Sequence, residues 1–265
     1  MTSYETILCE VSDGAARITL NRPESLNSWT LEFGRELLDA VSGLAVDPEV
    51  RAVLITGAGR GFSSGADLRG EDRPVTAEGK PDVHTPLSTL YNPIIKTVRE
   101  MPKPVIAAVN GPAVGVGCSL ALASDLVIAA ESAYFLLAFA NIGLTLDGGA
   151  SVSLIARLGY ARAVEMAMLA EKVPAAQALE WGLINQVVTD DELASVSGDL
   201  LDRLARGATM SFTSTKRLLN RAAYSNLDAQ LALEAELQQT HAESHDFMEG
   251  VFAFMQKRPP EFSGS

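Results

Sequence analysis

The sequence predicts an α/β core followed by a helical C-terminal region, and two patterns carry that prediction. Short apolar runs rich in β-branched residues occur near residues 18, 53, 106 and 127, with helical patterns and loops between them. From Asp191 onward the pattern is nearly all helical. With 265 residues, of which 47% are hydrophobic, the chain is long enough for one large domain with an appendage. We therefore assign residues 1–195 to the core and residues 196–265 to the helical region.

The first part of the core is predicted to contain a hairpin, a helix and a buried strand. Asp13-Gly14 lies between two apolar runs and is a strong signal for a tight hairpin turn. Asp47-Pro48 ends a segment whose apolar residues recur at helical spacing. The predicted elements are, in order, the strands Ile7–Val11 and Ala15–Leu20, the helix Thr30–Leu44 and the strand Ala52–Thr56.

A polar stretch separates these elements from the remainder of the core. Residues 70–86 are rich in Pro, Asp and Glu and show no periodicity, so we expect a mobile loop that acts as a lid. After it, helices are expected at 87–100, 151–158, 161–170 and 175–181, and strands at 105–109, 126–129 and 184–188.

Composition argues against several classes of partner. The net charge of −12 disfavours binding to nucleic acid or to an anionic membrane surface, since either needs a basic face. Cys9 and Cys118 lie far apart without the spacing of a metal site, so we expect no metal and a reduced, cytoplasmic chain. The N-terminus lacks the pattern of a signal peptide, and polar residues interrupt the apolar stretch 105–130, which argues against a membrane span.

Two glycine-bearing loops carry the strongest functional signal. Each follows a buried strand and precedes a segment that can start a helix: RAVLITGAGRGFSSGADL at residues 51–68 and PVIAAVNGPAVGVGCSLALASDLVIAA at residues 104–130. Small residues let a ligand approach the backbone, and amides at a helix start can hold an oxyanion. Two such loops can direct two N–H groups at one carbonyl oxygen and so stabilise an enolate.

Three other motifs resemble the signatures of different chemistries, and the first two lack a required residue. The first loop has Phe62 where a dinucleotide-binding fingerprint needs its third glycine. His241 and His245 share a helix face, but the glutamate is not next to the first histidine, as zinc peptidases require. The loop also matches the G-x-S-x-G nucleophile elbow at Ser63, which keeps a serine hydrolase open as an alternative.

Five ordered blocks of the sequence resemble the enoyl-CoA hydratase/isomerase family, also called the crotonase family. They are NRPESLNSW, FSSGADL, VNGPAVGVGCSLALASD, FANIGLTLDGGAS and AAQALEWGLINQVV, and the resemblance runs from about Ile7 to the C-terminus. It implies a spiral of ββα units with a helical C-terminal trimerisation region. It also implies an acyl-CoA substrate, no separate cofactor because coenzyme A enters as part of the substrate, and a homotrimer or dimer of trimers.

The resemblance implies that the amides of Ala66 and Val116 form the oxyanion hole. Ala66 follows the glycine of the F-x-x-G-x-D block, and Val116 is the middle residue of the triplet 115–117, where glycine is usual. Family hydratases use two glutamates to hold and activate water. The corresponding positions here are Ser119 and Phe139, so both expected carboxylates are missing.

Asp147, in the FANIGLTLDGGAS block, is the carboxylate that remains for acid–base chemistry. Some isomerase-like members carry an aspartate at this position, and the local resemblance is closest to the epoxyphenylacetyl-CoA isomerase-like members of the family. A single carboxylate can move a proton between carbons by acting first as base and then as acid. The alternative is that Asp147 only caps a helix near residues 148–158, since Asp favours that position.

The resemblance further implies a binding site for the coenzyme A part of the substrate. The residues expected there in the core are Ser25, Leu26, Ser64, Asp67 and Leu68, with Ser119 and Phe139 near the acyl group. Lys257, with Phe252, is expected to approach the adenosine end from a neighbouring subunit. The alternative for Lys257 is an exposed charged tail.

These observations predict an enzyme that acts on an acyl-CoA thioester through an enolate. Isomerisation of an enoyl-type acyl-CoA is the first expectation, because one carboxylate suffices for it. Hydration of a trans-2-enoyl-CoA is the second. A thioester hydrolase and an acyl-CoA binder without catalytic carboxylates remain as further alternatives.

Overall fold

The computed structural model describes residues 4–68 and 74–265 and contains two β-sheets. The strands are β1 (Ile7–Ser12), β2 (Ala15–Leu20), β3 (Ala52–Gly57), β4 (Val105–Val109), β5 (Ala113–Val114), β6 (Leu126–Ala130), β7 (Tyr134–Leu136), β8 (Val173–Pro174) and β9 (Gln186–Val188). The main sheet has the order β1-β2-β3-β4-β6-β9, and only its β1–β2 pair is antiparallel. The smaller sheet has the order β5-β7-β8.

The predicted hairpin and the buried strands are confirmed. Asp13 and Gly14 both adopt positive φ, 51° and 81°, as a two-residue hairpin turn requires. Every residue of β4 is buried, as are the first four residues of β3. These strands lie in the parallel part of the sheet, where both faces are covered, which explains their continuous apolar runs.

Ten α-helices surround and extend the sheets in the part of the chain that the structure describes. They are α1 (Leu31–Val46), α2 (His84–Pro86), α3 (Asn92–Glu100), α4 (Val116–Ala123), α5 (Ala150–Leu169), α6 (Ala175–Glu180), α7 (Leu193–Ala205), α8 (Thr209–Ala223), α9 (Leu227–Ala242) and α10 (His245–Gln256). The two helices predicted at 151–158 and 161–170 are both present within α5, where Gly159 interrupts the helical geometry with φ 71° and ψ 173°.

The predicted loop 70–86 is corrected at its C-terminal end. Helix begins at His84, and α2 continues through a π-helical turn, Leu87–Tyr91, into α3. The Asp82 side chain accepts from the amide of Thr85, and Gln239 of α9 accepts from the amide of His84, so both stabilise the helix start. Residues 70–73 of the predicted lid lie outside the described residues, and its mobility stays a prediction.

The C-terminal helices both cover the core and leave apolar surface exposed. Helix α7 packs on the main sheet and so belongs to the core layer. The predicted division between residues 195 and 196 falls inside this helix. Helix α9 packs against α2, α3, α5 and the π-helical turn. Leu218, Leu219, Phe252 and Phe254 remain exposed. No helix in residues 4–68 and 74–265 is long and apolar enough to cross a membrane.

Candidate active site

The two glycine loops recognised in the sequence lie side by side. Ser63 pairs with Ala113 in an isolated parallel bridge, and the amide of Val114 donates to the carbonyl of Ser63 at 2.8 Å. A Cβ at Gly65, where φ is +86°, would lie 2.9 Å from the carbonyl oxygen of Val114. A Cβ at Gly117 would lie 2.6 Å from the side chain of Ser63. Glycine is therefore required at both positions for the loops to approach this closely.

The amides of Ala66 and Val116 follow directly on this contact. A Cβ built on Gly65 would lie only 3.7 Å from the Cα of Gly115, so the residues preceding the two amides touch. Neither amide donates to a protein acceptor within the described residues. Val116 is the first residue of α4, so the positive potential of the helix N-terminus acts near its amide. The Val116 side chain is buried. The arrangement suits an anionic oxygen held between two loops.

Ser63 is a structural residue and not an exposed nucleophile. Its hydroxyl donates to the carbonyl of Asn27 at 2.9 Å and accepts from Trp29 Nε1 at 3.1 Å and from the amide of Gly65 at 3.3 Å. The side chain is fully buried, whereas His84 and His245 are exposed. The nucleophile-elbow interpretation of this loop is therefore wrong.

Asp147 does not cap a helix with its side chain. The N-cap of α5 is Gly149, and the capping acceptor comes from Glu234 on α9. Glu234 Oε2 accepts from the amide of Gly149 at 2.7 Å, and Oε1 accepts from the amide of Ser151 at 3.0 Å. The cap-only interpretation of Asp147 is therefore wrong, because its carboxylate makes no hydrogen bond to the described residues at this helix start.

The carboxylate of Asp147 is buried and only half satisfied. Asp147 is 8% exposed, and its Oδ2 accepts from Gln238 Nε2 at 3.1 Å. Its Oδ1 has no hydrogen-bond partner among the described residues. Burial, followed by the charge of Glu234, raises the pKa of Asp147 to about 8, against the lowering effect of the Gln238 hydrogen bond. A carboxyl group with this pKa can both accept and release a proton near neutral pH.

Two further ionisable groups share this environment. Burial raises the pKa of Glu234, while hydrogen bonds from Ser151 and Gly149 act in the opposite direction. Burial also raises the pKa of Tyr91, and the charges of Asp147 and Asp67 raise it further. Tyr91 packs edge-on against Trp29, with 5.0 Å between ring centroids. The Tyr91 phenol is therefore close enough to Asp147 and Asp67 for their charges to raise its pKa.

Ser119 and Phe139 do not replace the missing glutamates chemically. The Ser119 hydroxyl is fully buried on α4 and donates to the backbone carbonyl of Asp147 at 2.9 Å. Phe139 is buried as well, and a Cβ on Gly115 would lie 3.8 Å from its ring. Ser119 thus ties the Asp147 segment to the first turn of α4, where Val116 lies, and Phe139 adds apolar surface beside the same loop.

The expected coenzyme A residues of the core lie in two segments, 25–26 and 64–68, which are hydrogen-bonded to each other. The Ser64 hydroxyl donates to the carbonyl of Ser25 at 3.0 Å, and the Ser64 amide donates to the carbonyl of Leu26 at 2.8 Å. Leu26 adopts φ 54°, which turns the chain sharply at this point. The carboxylate of Asp67 accepts from Ser28 and lies 3.5 Å from Arg22. Leu68 is half-buried and is the last described residue before residue 74.

Phe252 and Lys257 do not contact these two segments within one chain. Phe252 is exposed on α10, and Arg258 stacks over its ring at 5.7 Å. Lys257 ends α10 with φ 55°. Among the described residues, no hydrogen bond or ion pair joins either side chain to residues 25–68. Their expected role at the adenosine end therefore stays a prediction that requires a neighbouring subunit.

Sequence reasoning missed the two α9 residues that contact the Asp147 segment, Glu234 and Gln238. Both are buried, at 5% and 1% exposure. A signal was present, because they occupy positions on the buried stripe of α9 that is otherwise apolar: Leu227, Leu231, Ala235 and Ala242. Polar residues on such a stripe need buried partners. No group of three or more potential metal ligands occurs in the described part of the chain.

Comparison with known proteins identifies the class to which this fold and site belong. The family model described as enoyl-CoA hydratase/isomerase matches residues 10–265. The chain belongs to this family, also called the crotonase family, whose members are enzymes.

Individual relatives carry names for more than one reaction. The chain is 43% identical to 1,2-epoxyphenylacetyl-CoA isomerase of Escherichia coli (strain K12), over 98% of this chain and 99% of the relative. It is 44% identical to a probable enoyl-CoA hydratase of Rhodobacter capsulatus, over 99% of each. The crystal structure of an enoyl-CoA hydratase from Mycobacterium avium subsp. paratuberculosis K-10 superposes with a TM-score of 0.89 at 41% identity, covering 98% of this chain and all of the other. The fold is confirmed as that of the crotonase family.

Proposed function

We propose that this protein isomerises an enoyl-type acyl-CoA thioester, with Asp147 as its single acid–base group. The observation that supports this most is the half-satisfied, buried Asp147 carboxyl in a site where the two hydratase glutamate positions hold Ser119 and Phe139. The hydroxyl of Ser119 is already used by the carbonyl of Asp147. Both oxygens of Glu234 accept from backbone amides, so this second carboxylate is committed to the start of α5.

The proposed reaction uses the amides of Ala66 and Val116 and the free oxygen of Asp147. The two amides donate to the thioester oxygen and stabilise the negative charge that develops there. Asp147 Oδ1 takes a proton from Cα, and the electron pair of the C–H bond passes into the enolate. Asp147 then returns the proton at Cγ, so the double bond moves and no atom is gained or lost. No cofactor beyond the coenzyme A of the substrate is needed for these steps.

Hydration of a trans-2-enoyl-CoA is the second candidate, favoured by the name of the Rhodobacter capsulatus relative. Addition of water ordinarily uses a second group to hold and activate the water. A mass-spectrometric screen of linear and aromatic acyl-CoAs, run in H₂O and in D₂O, separates the two reactions. Isomerisation gives hydrogen exchange or rearrangement without added water, whereas hydration adds the mass of one water. Acyl-CoA binding without any turnover across the panel would indicate a non-catalytic binder.

The assembly proposed for this function is a homotrimer or a dimer of trimers. Support comes from the exposed apolar side chains of α8 and α10, among them Leu218, Leu219, Phe252 and Phe254. Leu227, Leu231 and Phe247 do not contribute, because they are buried within the chain itself. Light scattering that finds a monomer at micromolar concentration would contradict this assembly.

Lys257→Ala is expected to weaken binding of coenzyme A in the assembled protein, with a shallower dependence on salt. In the proposed assembly Lys257 and Phe252 reach the adenosine end of coenzyme A bound at Ser25, Leu26, Ser64, Asp67 and Leu68 of the neighbouring chain. Loss of the Lys257 cation removes one attraction to the negatively charged coenzyme A. Because salt screens this attraction, binding without it depends less on salt. Calorimetry with free coenzyme A at low and high salt measures the change. Equal affinity of both proteins at low salt would remove Lys257 from the site.

A further inference from the structure

Helix α9 places one uncharged, fully buried amide against the Asp147 carboxyl. Gln238 is 1% exposed and donates through Nε2 to Asp147 Oδ2 at 3.1 Å. Its other amide atom, Oε1, is buried without a hydrogen-bond partner among the described residues, as is Asp147 Oδ1. A buried carboxylate oxygen left without a donor is costly, so the unpartnered Oδ1 of Asp147 calls for a functional reason.

The chemistry of a single acid–base carboxyl supplies that reason. Asp147 must exist as a carboxylate before it takes a proton and as a carboxylic acid afterwards. In the acid, the proton taken from the substrate lies on Oδ1, so Oδ2 remains an acceptor in both forms. One N–H donor at Oδ2 can therefore hold the group throughout the reaction. Such a donor favours the charged carboxylate more than the neutral acid.

We propose that Gln238 is a positioning residue for Asp147, whose amide N–H donates to Oδ2 in both protonation states and so holds the carboxyl group in one orientation. The role rests on the proposed function of Asp147 as the acid–base group. It also fixes which oxygen reacts, because the amide occupies Oδ2 and leaves Oδ1 for the substrate. A lysine or arginine at this position would add a positive charge that lowers the pKa of Asp147, and an apolar side chain would leave Oδ2 without a donor.

The other groups that face Asp147 cannot take over this role. Glu234, also on α9, is held by the amides of Gly149 and Ser151. Tyr91, on the π-helical turn, is buried, and the charge of Asp147 helps to raise its pKa, but no hydrogen bond joins the two side chains in the described part of the chain. Ser119, on α4, contacts only the backbone carbonyl of Asp147. Among the described residues, Gln238 alone hydrogen-bonds a carboxylate oxygen of Asp147 through its side chain.

The test is a pair of matched substitutions, Gln238→Met and Gln230→Met, in the full-length protein. Methionine keeps the length of glutamine but has no N–H donor. Gln230 lies on the same helix and contacts Ser151 at 3.4 Å, away from Asp147. Infrared difference spectroscopy follows the protonated carboxyl band of Asp147 against pH, with the band assigned by its absence in Asp147→Asn. In wild type the midpoint is expected near pH 8.

Gln238→Met should move this midpoint to higher pH, because the hydrogen bond that favours the carboxylate is lost. With trans-3-hexenoyl-CoA as probe, kcat at pH 7 should fall roughly tenfold or more, with KM changed by less than about threefold. Gln230→Met should leave both the midpoint and kcat unchanged. If Gln238→Met does not fold, Gln238→Glu keeps the length, adds a like charge beside Asp147, and should also raise the midpoint.

A midpoint equal to that of wild type in the folded Gln238 variant would overturn the positioning role. This outcome is separable from failure of the proposed function, because the infrared titration needs no turnover. Retained activity in Asp147→Asn would overturn the proposed function whatever the titration shows. An inactive Asp147→Asn together with an unmoved midpoint in Gln238→Met would overturn the positioning role alone. A kcat loss that is uniform across pH would indicate a merely structural effect and would also count against it.

Discussion

Asp147→Asn is expected to lower turnover by roughly 10²- to 10⁴-fold, the usual contribution of a general acid–base group. Asparagine keeps the size of the side chain and can still bond to Gln238, but it cannot take a proton. Affinity for acyl-CoA should change little, because the proposed oxyanion donors of Ala66 and Val116 are backbone amides. Steady-state kinetics on the substrate found by the mass screen, with calorimetric binding of the same acyl-CoA, measure both quantities.

The stability of Asp147→Asn provides the internal control. In the folded protein Asp147 titrates at a pKa of about 8, whereas an unfolded aspartate titrates near pH 4. The group therefore favours folding below about pH 4, and this contribution is lost as pH rises through 8. Since asparagine does not ionise, the variant should be at least as stable as wild type at pH 8. A melting curve that shows this, together with near-wild-type turnover, would contradict the one-carboxylate mechanism.

Gly65→Ala is expected to reduce turnover by roughly 10²- to 10³-fold, the effect of losing one oxyanion donor. The new Cβ would lie 2.9 Å from the carbonyl oxygen of Val114, and φ at this position is +86°. The loop 63–66 must therefore shift away from the loop 113–117, and the amide of Ala66 moves with it. The same kinetic assay measures the loss, and circular dichroism verifies that the fold is retained.

Gly43→Ala is the matched control for this substitution. Gly43 lies in α1, and a Cβ there would meet no heavy atom within 4 Å. Alanine should stabilise the helix by about 0.5–1 kcal/mol and leave turnover unchanged. Full activity of Gly65→Ala with normal folding would show that the contact between the two glycine loops does not position a catalytic amide.

Local chemistry explains why much of the fold and part of the site could be predicted from the sequence. The hairpin follows from Asp13-Gly14, and the buried strands follow from continuous β-branched runs. The two loops could be recognised because close backbone approach demands small residues, which stand out in a sequence. The end of the polar loop was placed wrongly because one of the two contacts that stabilise the helix start at His84 comes from Gln239, which lies 155 residues away.

The roles around Asp147 could not be predicted for the same reason. The sequence indicates Asp147, the nearest carboxylate, as the alternative cap of α5, but Glu234 supplies the cap from 85 residues beyond Gly149. The contact of Gln238 with Asp147 spans 91 residues. Local patterns carry no information about which distant side chain completes a helix end. Only the polar interruptions of the buried stripe of α9 indicate that this helix returns to the core.

The product formed from trans-3-hexenoyl-CoA, or from the acyl-CoA found by the screen, tests the central claim most directly. The reaction is run in H₂O and in D₂O with wild type and Asp147→Asn, and the product is analysed by high-resolution mass spectrometry and NMR. If a single carboxylate moves the proton, the product is an isomer of the substrate, with deuterium at no more than one of the two carbons, Cα or Cγ, in each turnover. Asp147→Asn should form this product roughly 10²- to 10⁴-fold more slowly. A product that has gained one water, or an isomer formed equally fast by Asp147→Asn, would contradict the account.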